Sequence, residues 1–324
     1  MPLIDYEQSG WVPNAKYEAI INEANAICAQ YLAQGYDLTL RQLYYQFVAR
    51  GLLANKQENY DLLGRVCVKA RENGYMDWDY LVDRTRNLQA LPHWADPEEI
   101  LDAVAKQFRL DKWAEADHVV EVWVEKEALS GIVQQAADAV DIPHFACRGY
   151  VSSSEIWQAS QRLVRYIKDG KEVTVLHLGD HDPSGLNMTD DNGGRLQQYV
   201  RRHVGKDYSK LHFKRIALNP PQIAQYAPPP NPAKQTDSRY GEYVAATGQT
   251  DSWELDALDP TVLVTLITGE VEALRDDAVW NEATEEEKEH RRRLAEVANR
   301  WTDVTGWLDE EGTNDNGNGT DADE

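Results

Sequence analysis

The residues of this chain best suited to chemistry fall into two groups. The first is a pair of neighbouring tyrosines, Tyr44 and Tyr45, in the stretch LTLRQLYYQFVARGLL, with Arg41 one helical turn before Tyr45. On a helix drawn at about 100° per residue, Leu40, Leu43, Tyr44, Phe47 and Val48 form one apolar stripe. Tyr44 therefore belongs to a core, whereas Tyr45 lies off the stripe and is expected to point out beside Arg41. A phenol with an ordinary pKa of about 10 needs help to become a nucleophile. A guanidinium stabilises the charge that builds on a phosphate under attack. The pair suits attack on a phosphodiester; a plain surface tyrosine is the competing reading.

The second group is acidic. VWVEKEA places Glu125 at the end of a β-rich run, and LHLGDHDPSG places Asp180 and Asp182 at the end of another. Open α/β sheets carry their sites at the carboxyl ends of strands. Three carboxylates converging there make a hard-oxygen site for Mg²⁺, which can hold a phosphate and stabilise a leaving oxygen. Asp182 before Pro183 also reads as a helix N-cap, and Glu125 as a partner of a helix dipole. His181 is read as solvent-facing, and DDNGG as a turn. No GxxxxGK[ST] phosphate loop occurs.

These residues need elements to hold them. Helical spacing from Tyr17 to Tyr31, a second helix from about Thr39 and a third over ENYDLLGRVCVKAREN are followed by GYMDWDYLVDRTRN, expected as a small hairpin. Three helices and a wing suggest a winged-helix DNA-binding domain; a small helical bundle fits the same pattern. DPEEILDAVAKQF reads as a linking helix. Beyond it, HVVEVWVE, IPHFACRGY, EVTVLHLGD and KLHFKRIAL alternate with helical stretches, so the fold class is α/β with a mostly parallel sheet covered on both faces. After Asn219 a long irregular stretch carries Tyr226, Lys234, Arg239, Tyr240 and Tyr243, which favour a contact surface. A helical extension then runs to about Trp307.

Composition limits the function. At 324 residues the chain has room for two domains. The three cysteines have no CxxC spacing, so reduced buried thiols are expected rather than disulfides or zinc. The first residues do not read as a signal peptide, and no apolar run is long enough to span a bilayer, so a cytoplasmic, nucleoid-associated location is expected. The net charge of −22 argues against nucleic acid. The charge is uneven, however. An acidic end, expected to be a disordered tail over 309–324, contrasts with a basic stretch in which Arg65, Lys69, Arg71, Arg84 and Arg86 are the candidate DNA contacts.

TLRQLYYQFV resembles the tyrosine motif of the DNA topoisomerase VI A-subunit family and its meiotic double-strand-break relatives. VWVEKEA, CRGY and GDHDPSG resemble, in order, that family's Toprim segments. The similarity covers roughly residues 17–219, and the length is nearer the compact Mini-A relatives. The resemblance implies a winged-helix domain over 1–95, a Toprim domain over 96–219 and an extension over 220–308. It implies Tyr45 as nucleophile, Arg41 as its helper, and Glu125, Asp180 and Asp182 as Mg²⁺ ligands. The implied reaction is transesterification of double-stranded DNA to a 5′-phosphotyrosyl end. The implied assembly is a homodimer in which the tyrosine of one protomer serves the carboxylates of the other, with a separate GHKL-type ATPase B subunit as a possible partner. A Toprim nuclease using metal-activated water and a non-catalytic DNA-binding accessory protein are the alternatives.

Overall fold

The computed structural model describes residues 3–6, 10–82 and 91–314. The chain divides into two compact units, each built from two segments: Met1–Asn87 with Asp117–Leu274, and Leu88–Ala116 with Arg275–Glu324. This division does not follow the boundaries expected after residues 95 and 219.

The larger unit begins with three helices. In α1 (Ala15–Leu32) the Asn14 side chain caps the first turn by accepting from the Tyr17 N–H at 3.0 Å. α2 (Leu40–Ala49) opens with a reciprocal Thr39–Gln42 capping box, and α3 (Gln57–Glu72) follows. Ile20, Ile27, Tyr31, Leu43, Tyr44, Phe47, Leu63 and Val66 are buried together. Each large apolar side chain in such a core contributes roughly 1.5–3 kcal/mol. The described part of the expected wing is a 3₁₀ turn at Trp78–Tyr80 and an isolated bridge between Leu38 and Leu81. The remainder of that stretch, 83–87, lies outside the described residues.

After α4 (Pro97–Gln107), the chain forms β1 (His118–Val124), α5 (Ser130–Ala139), β2 (His144–Ala146), α6 (Ser153–Lys168), β3 (Glu172–Leu178), α7 (Pro183–Val204) and β4 (Leu211–Ala217). The four strands make one parallel sheet in the order β2-β1-β3-β4. Trp123, Val173, Val175 and Leu211 on one face pack with Ile156 and Leu163 of α6 and Leu196 and Val200 of α7. α5 packs on β1 and β2, and on α10 (Pro260–Glu272). Burial on both faces explains why β1 and β3 read as near-continuous apolar runs. Among the buried polar exceptions, Glu121 is paired by Arg162 through Nε at 2.6 Å and Nη2 at 2.9 Å. DDNGG is not a turn: it lies inside α7, where Gly193 leaves room for the Phe213 ring.

The stretch after Asn219 is shorter in irregular chain than expected. It holds α8 (Pro220–Tyr226), α9 (Tyr240–Thr247) and the antiparallel pair β5 (Asn231–Pro232) and β6 (Asp251–Ser252). In the smaller unit, α4, read from the sequence as a linking helix, packs on α11 (Asp277–Asn299). There Glu287 accepts from the Leu110 N–H at 3.0 Å and pairs with Arg291 at 2.9 Å. α12 (Trp301–Asn314) carries helix into the stretch expected as a disordered tail; 315–324 lie outside the described residues. Among the described residues no helix is long and apolar enough to cross a membrane. All three cysteines are free and buried, their thiols pushed up to about 12 by burial.

Candidate active site

β1 and β3 end side by side, with the Glu125 N–H donating to the Leu178 carbonyl at 2.8 Å. The chain after β3 then turns through Gly179, Asp180, His181 and Asp182 into α7. The Glu125 carboxylate lies within this turn and accepts from the Asp180 N–H at 2.9 Å. The turn needs its glycines. A Cβ on Gly179 would lie 2.8 Å from Glu125 Oε2, and one on Gly185 would run into the Asp180 carbonyl. From below, Arg215 of β4 donates to the carbonyls of Gly179 at 2.8 Å and Asp180 at 2.6 Å, and to Thr189 Oγ1 at 2.6 Å. Asp182 caps α7, accepting from the Gly185 N–H at 2.6 Å and from Ser184 Oγ at 3.0 Å. The N-cap reading of Asp182 therefore holds. His181 is buried, not solvent-facing: its ring packs between Tyr243 and Trp253 while Nδ1 meets the Leu218 carbonyl at 3.1 Å. Burial lowers the pKa of the imidazole.

The metal set expected as Glu125, Asp180 and Asp182 is gathered differently. Asp180 clusters with Glu254 and Asp256, whose ligand atoms all lie within 4.8 Å of one another. These two arrive on the turn after β6, where an isolated bridge between His181 and Trp253 ties that segment to the Asp180 turn. Lys126 sits among them, with Nζ 2.8 Å from Asp180 Oδ2, 2.5 Å from Glu254 Oε2 and 3.0 Å from Asp256 Oδ1. Asp180 Oδ1 accepts from the Leu255 N–H at 2.8 Å. Burial raises the Asp180 pKa, and the neighbouring Glu125, Asp256 and Glu254 add to the rise against the pull of Lys126. Glu125 is likewise raised by burial. Glu254 is lowered, because Lys126 and Arg41 outweigh its burial. Three clustered carboxylates are hard-oxygen donors of the kind that fit a divalent cation.

Arg41 connects this cluster to α2. Its Nε meets Asp256 Oδ2 at 2.6 Å and its Nη2 bonds Glu254, while the guanidinium stands 5.7 Å from the centre of the Tyr45 ring. Tyr45 is thus beside Arg41 as expected, but it is not exposed: it is 4% accessible, covered because the turn bearing Asp256 packs on α2. Burial raises the phenol's pKa, Asp256 and Glu254 raise it further, and Arg41 and Lys126 offset only part of this. Tyr45 lines a 240 Å³ cavity with Arg41, Lys56, Asn231 and Glu254. Tyr44 is a core residue as expected, and its hydroxyl accepts from the Lys56 N–H at 2.8 Å.

Of the expected DNA contacts, Arg65 and Lys69 are exposed on α3, Lys69 with its ammonium 5.7 Å from the Trp11 ring centre. Arg71 is half-buried, turned onto Trp78 and the Leu81 carbonyl. Arg84 and Arg86 lie outside the described residues. Four residues of the site escaped the sequence reading: Lys126, Arg215, Glu254 and Asp256. The signal for the last two was WELDAL, a pair of acids inside an apolar run at the end of a long loop.

Comparisons with protein-family models, with curated proteins and with solved structures find no match.

Proposed function

We propose that this chain is a divalent-cation-dependent DNA-cleaving transesterase with Tyr45 as its nucleophile. The observation that carries this reading is the bridge made by Arg41. It joins the Tyr45 phenol to Glu254 and Asp256, and through Lys126 to Asp180, so a nucleophile and a carboxylate cluster from distant parts of the sequence share one site. Asp180, Glu254 and Asp256 would hold the cation, with Glu125 and Asp182 beside them; Mg²⁺ suits these oxygens. Such an ion, when bound, supplies charge stabilisation to a phosphate oxygen.

The chain's own residues account for the remaining chemistry. Burial and the neighbouring Asp256 and Glu254 carboxylates oppose ionisation of the phenol. Neutralising those carboxylates removes the repulsion that opposes phenolate formation and frees Arg41 to face phosphate. The Tyr45 oxygen then forms a bond to phosphorus and the bond to the 3′-oxygen breaks. The phenol's proton ends on the released 3′-hydroxyl, so charge and atoms balance.

A hydrolytic reading, in which water attacks, is favoured only by the raised pKa of Tyr45. The test is incubation of the full chain with supercoiled plasmid and Mg²⁺, followed by denaturant with and without protease. A protease-sensitive protein–DNA adduct that Tyr45→Phe abolishes is expected. Cleavage that persists in Tyr45→Phe without an adduct would establish hydrolysis instead. Because Arg41 reaches Glu254 and Asp256 of its own chain, we place the site within one protomer. A mixed dimer of Tyr45→Phe with Glu125→Ala should then be inert, whereas attachment through the Glu125→Ala chain would mean that the site forms between protomers.

A further inference from the structure

We propose that Lys126 is a tethered cation that fills the Asp180–Glu254–Asp256 cluster in the resting chain, and that a divalent cation enters the cluster only by displacing its ammonium. An ammonium has three donors and no acceptor. Here each of the three carboxylates lies within 3.0 Å of Nζ, which donates hydrogen bonds to Glu254 and Asp256 and forms an ion pair with Asp180. The oxygens are engaged as well. Asp180 Oδ1 takes the Leu255 N–H, Asp256 Oδ2 takes Arg41, and Glu254 Oε2 takes both Arg41 and Lys126. A divalent ion at these ligands would share their centre with a fixed positive charge a few ångströms away, a strongly repulsive arrangement in a partly buried site.

Lys126 is placed for exchange rather than for permanent burial. It directly follows Glu125, whose carboxylate is locked in the glycine turn, so the backbone under Lys126 is fixed. Its side chain keeps 18% of its accessibility, and the Lys126 charge already acts on Tyr45. An ammonium released by an incoming ion therefore stays beside the phenol, where it can meet a phosphate. This inference rests on the proposed cation role of the cluster, and its test is separable from it.

The test is Mn²⁺ binding to the full chain, followed by electron paramagnetic resonance, in the wild type, Lys126→Met and Lys126→Gln, with circular dichroism as the check on folding. Removing a competitor held by charge-assisted hydrogen bonds should tighten Mn²⁺ binding by about tenfold or more. Adding Asp256→Asn should erase that gain. A second arm needs no Lys126 variant: acylation of wild-type Lys126 by an amine reagent, read by mass spectrometry, should rise as Mn²⁺ saturates the protein. Folded Lys126 variants that bind Mn²⁺ with wild-type affinity, or Lys126 labelling unchanged by bound Mn²⁺, would overturn the displacement while leaving a cation site in place. Absence of Mn²⁺ binding in every protein would overturn both. The Tyr45 adduct assay reports separately on the transesterase reading.

Discussion

Glu125 and Lys126 are neighbours in the chain, yet their side chains enter differently built surroundings. Glu125 is received by backbone: the Asp180 N–H, the bare Cα atoms of Gly179 and Gly185, and a turn whose carbonyls are gathered by the half-buried Arg215. Lys126 is received by side chains alone, carboxylates that come from two separate turns, of which Glu254 and Asp256 are shared with Arg41. The first surrounding is held by sterics and has one arrangement. The second is held by charge, and one cation in it can replace another. A site that must take up and release a cation needs both: a rigid floor, and above it a set of ligands whose partners can be exchanged.

The largest effect should come from the rigid half. Gly185→Ala would drive a Cβ into the Asp180 carbonyl, a backbone atom that cannot step aside. We expect a loss of about 4 kcal/mol or more, read by denaturant unfolding. A loss under 1 kcal/mol would mean that the turn yields, and the contrast between the two halves would fail. Asp256→Asn comes next. It leaves Lys126 and Arg41 short of one carboxylate and should cost about 3 kcal/mol. Because this half is ionic, part of that loss should be recovered when Lys126→Met is added, and strict additivity would argue against the coupling.

Acid should separate the halves by pH window. His177 lies beneath the turn, bonded to Thr189 Oγ1 at 3.0 Å, and burial with the nearby Arg215 lowers its pKa to about 3 from 6.5. Between those values the unfolded chain takes up a proton that the folded chain refuses. Stability should therefore fall as pH drops from 6.5 toward 3, by at most about 1.4 kcal/mol per unit. His177→Gln should flatten that slope. Glu254 also has a depressed pKa, below its ordinary 4.5. Its contribution is present above 4.5 and lost as pH falls below it, so Glu254→Gln should flatten only the more acidic part. Identical windows for the two variants would dissolve the distinction.

The smallest effects concern the two tyrosines. Tyr44→Phe removes a hydroxyl bonded to the Lys56 backbone and should cost about 1 kcal/mol. Among the described residues no hydrogen bond holds the Tyr45 hydroxyl, so Tyr45→Phe should change stability by no more than about 0.5 kcal/mol. Equal losses would mean that Tyr45 is as firmly anchored as its neighbour and is not free to react.

The sequence by itself determined whatever depends on short-range periodicity and local turn chemistry. The apolar stripe through Leu43, Tyr44 and Phe47 placed Tyr44 in a core, the alternating strand and helix pattern foretold a parallel sheet, and GDHDPSG marked a strand end with a capped helix after it. Each follows from neighbours a few residues apart, and the same neighbours lie together in the fold. Tertiary structure decided the rest. A helical wheel shows only what α2 offers, not what covers it, so the burial of Tyr45 depended on a turn more than two hundred residues later. The nearest motif is likewise no guide to which carboxylates meet. Glu254 and Asp256 join Asp180 because the His181–Trp253 bridge carries their segment to the sheet edge, while Asp182 caps α7 through Oδ1. Ionic partners are chosen by proximity in space after the chain has folded, which is why the pairing of Lys126 and Arg41 with those two acids is fixed by the fold and not by any spacing in the sequence.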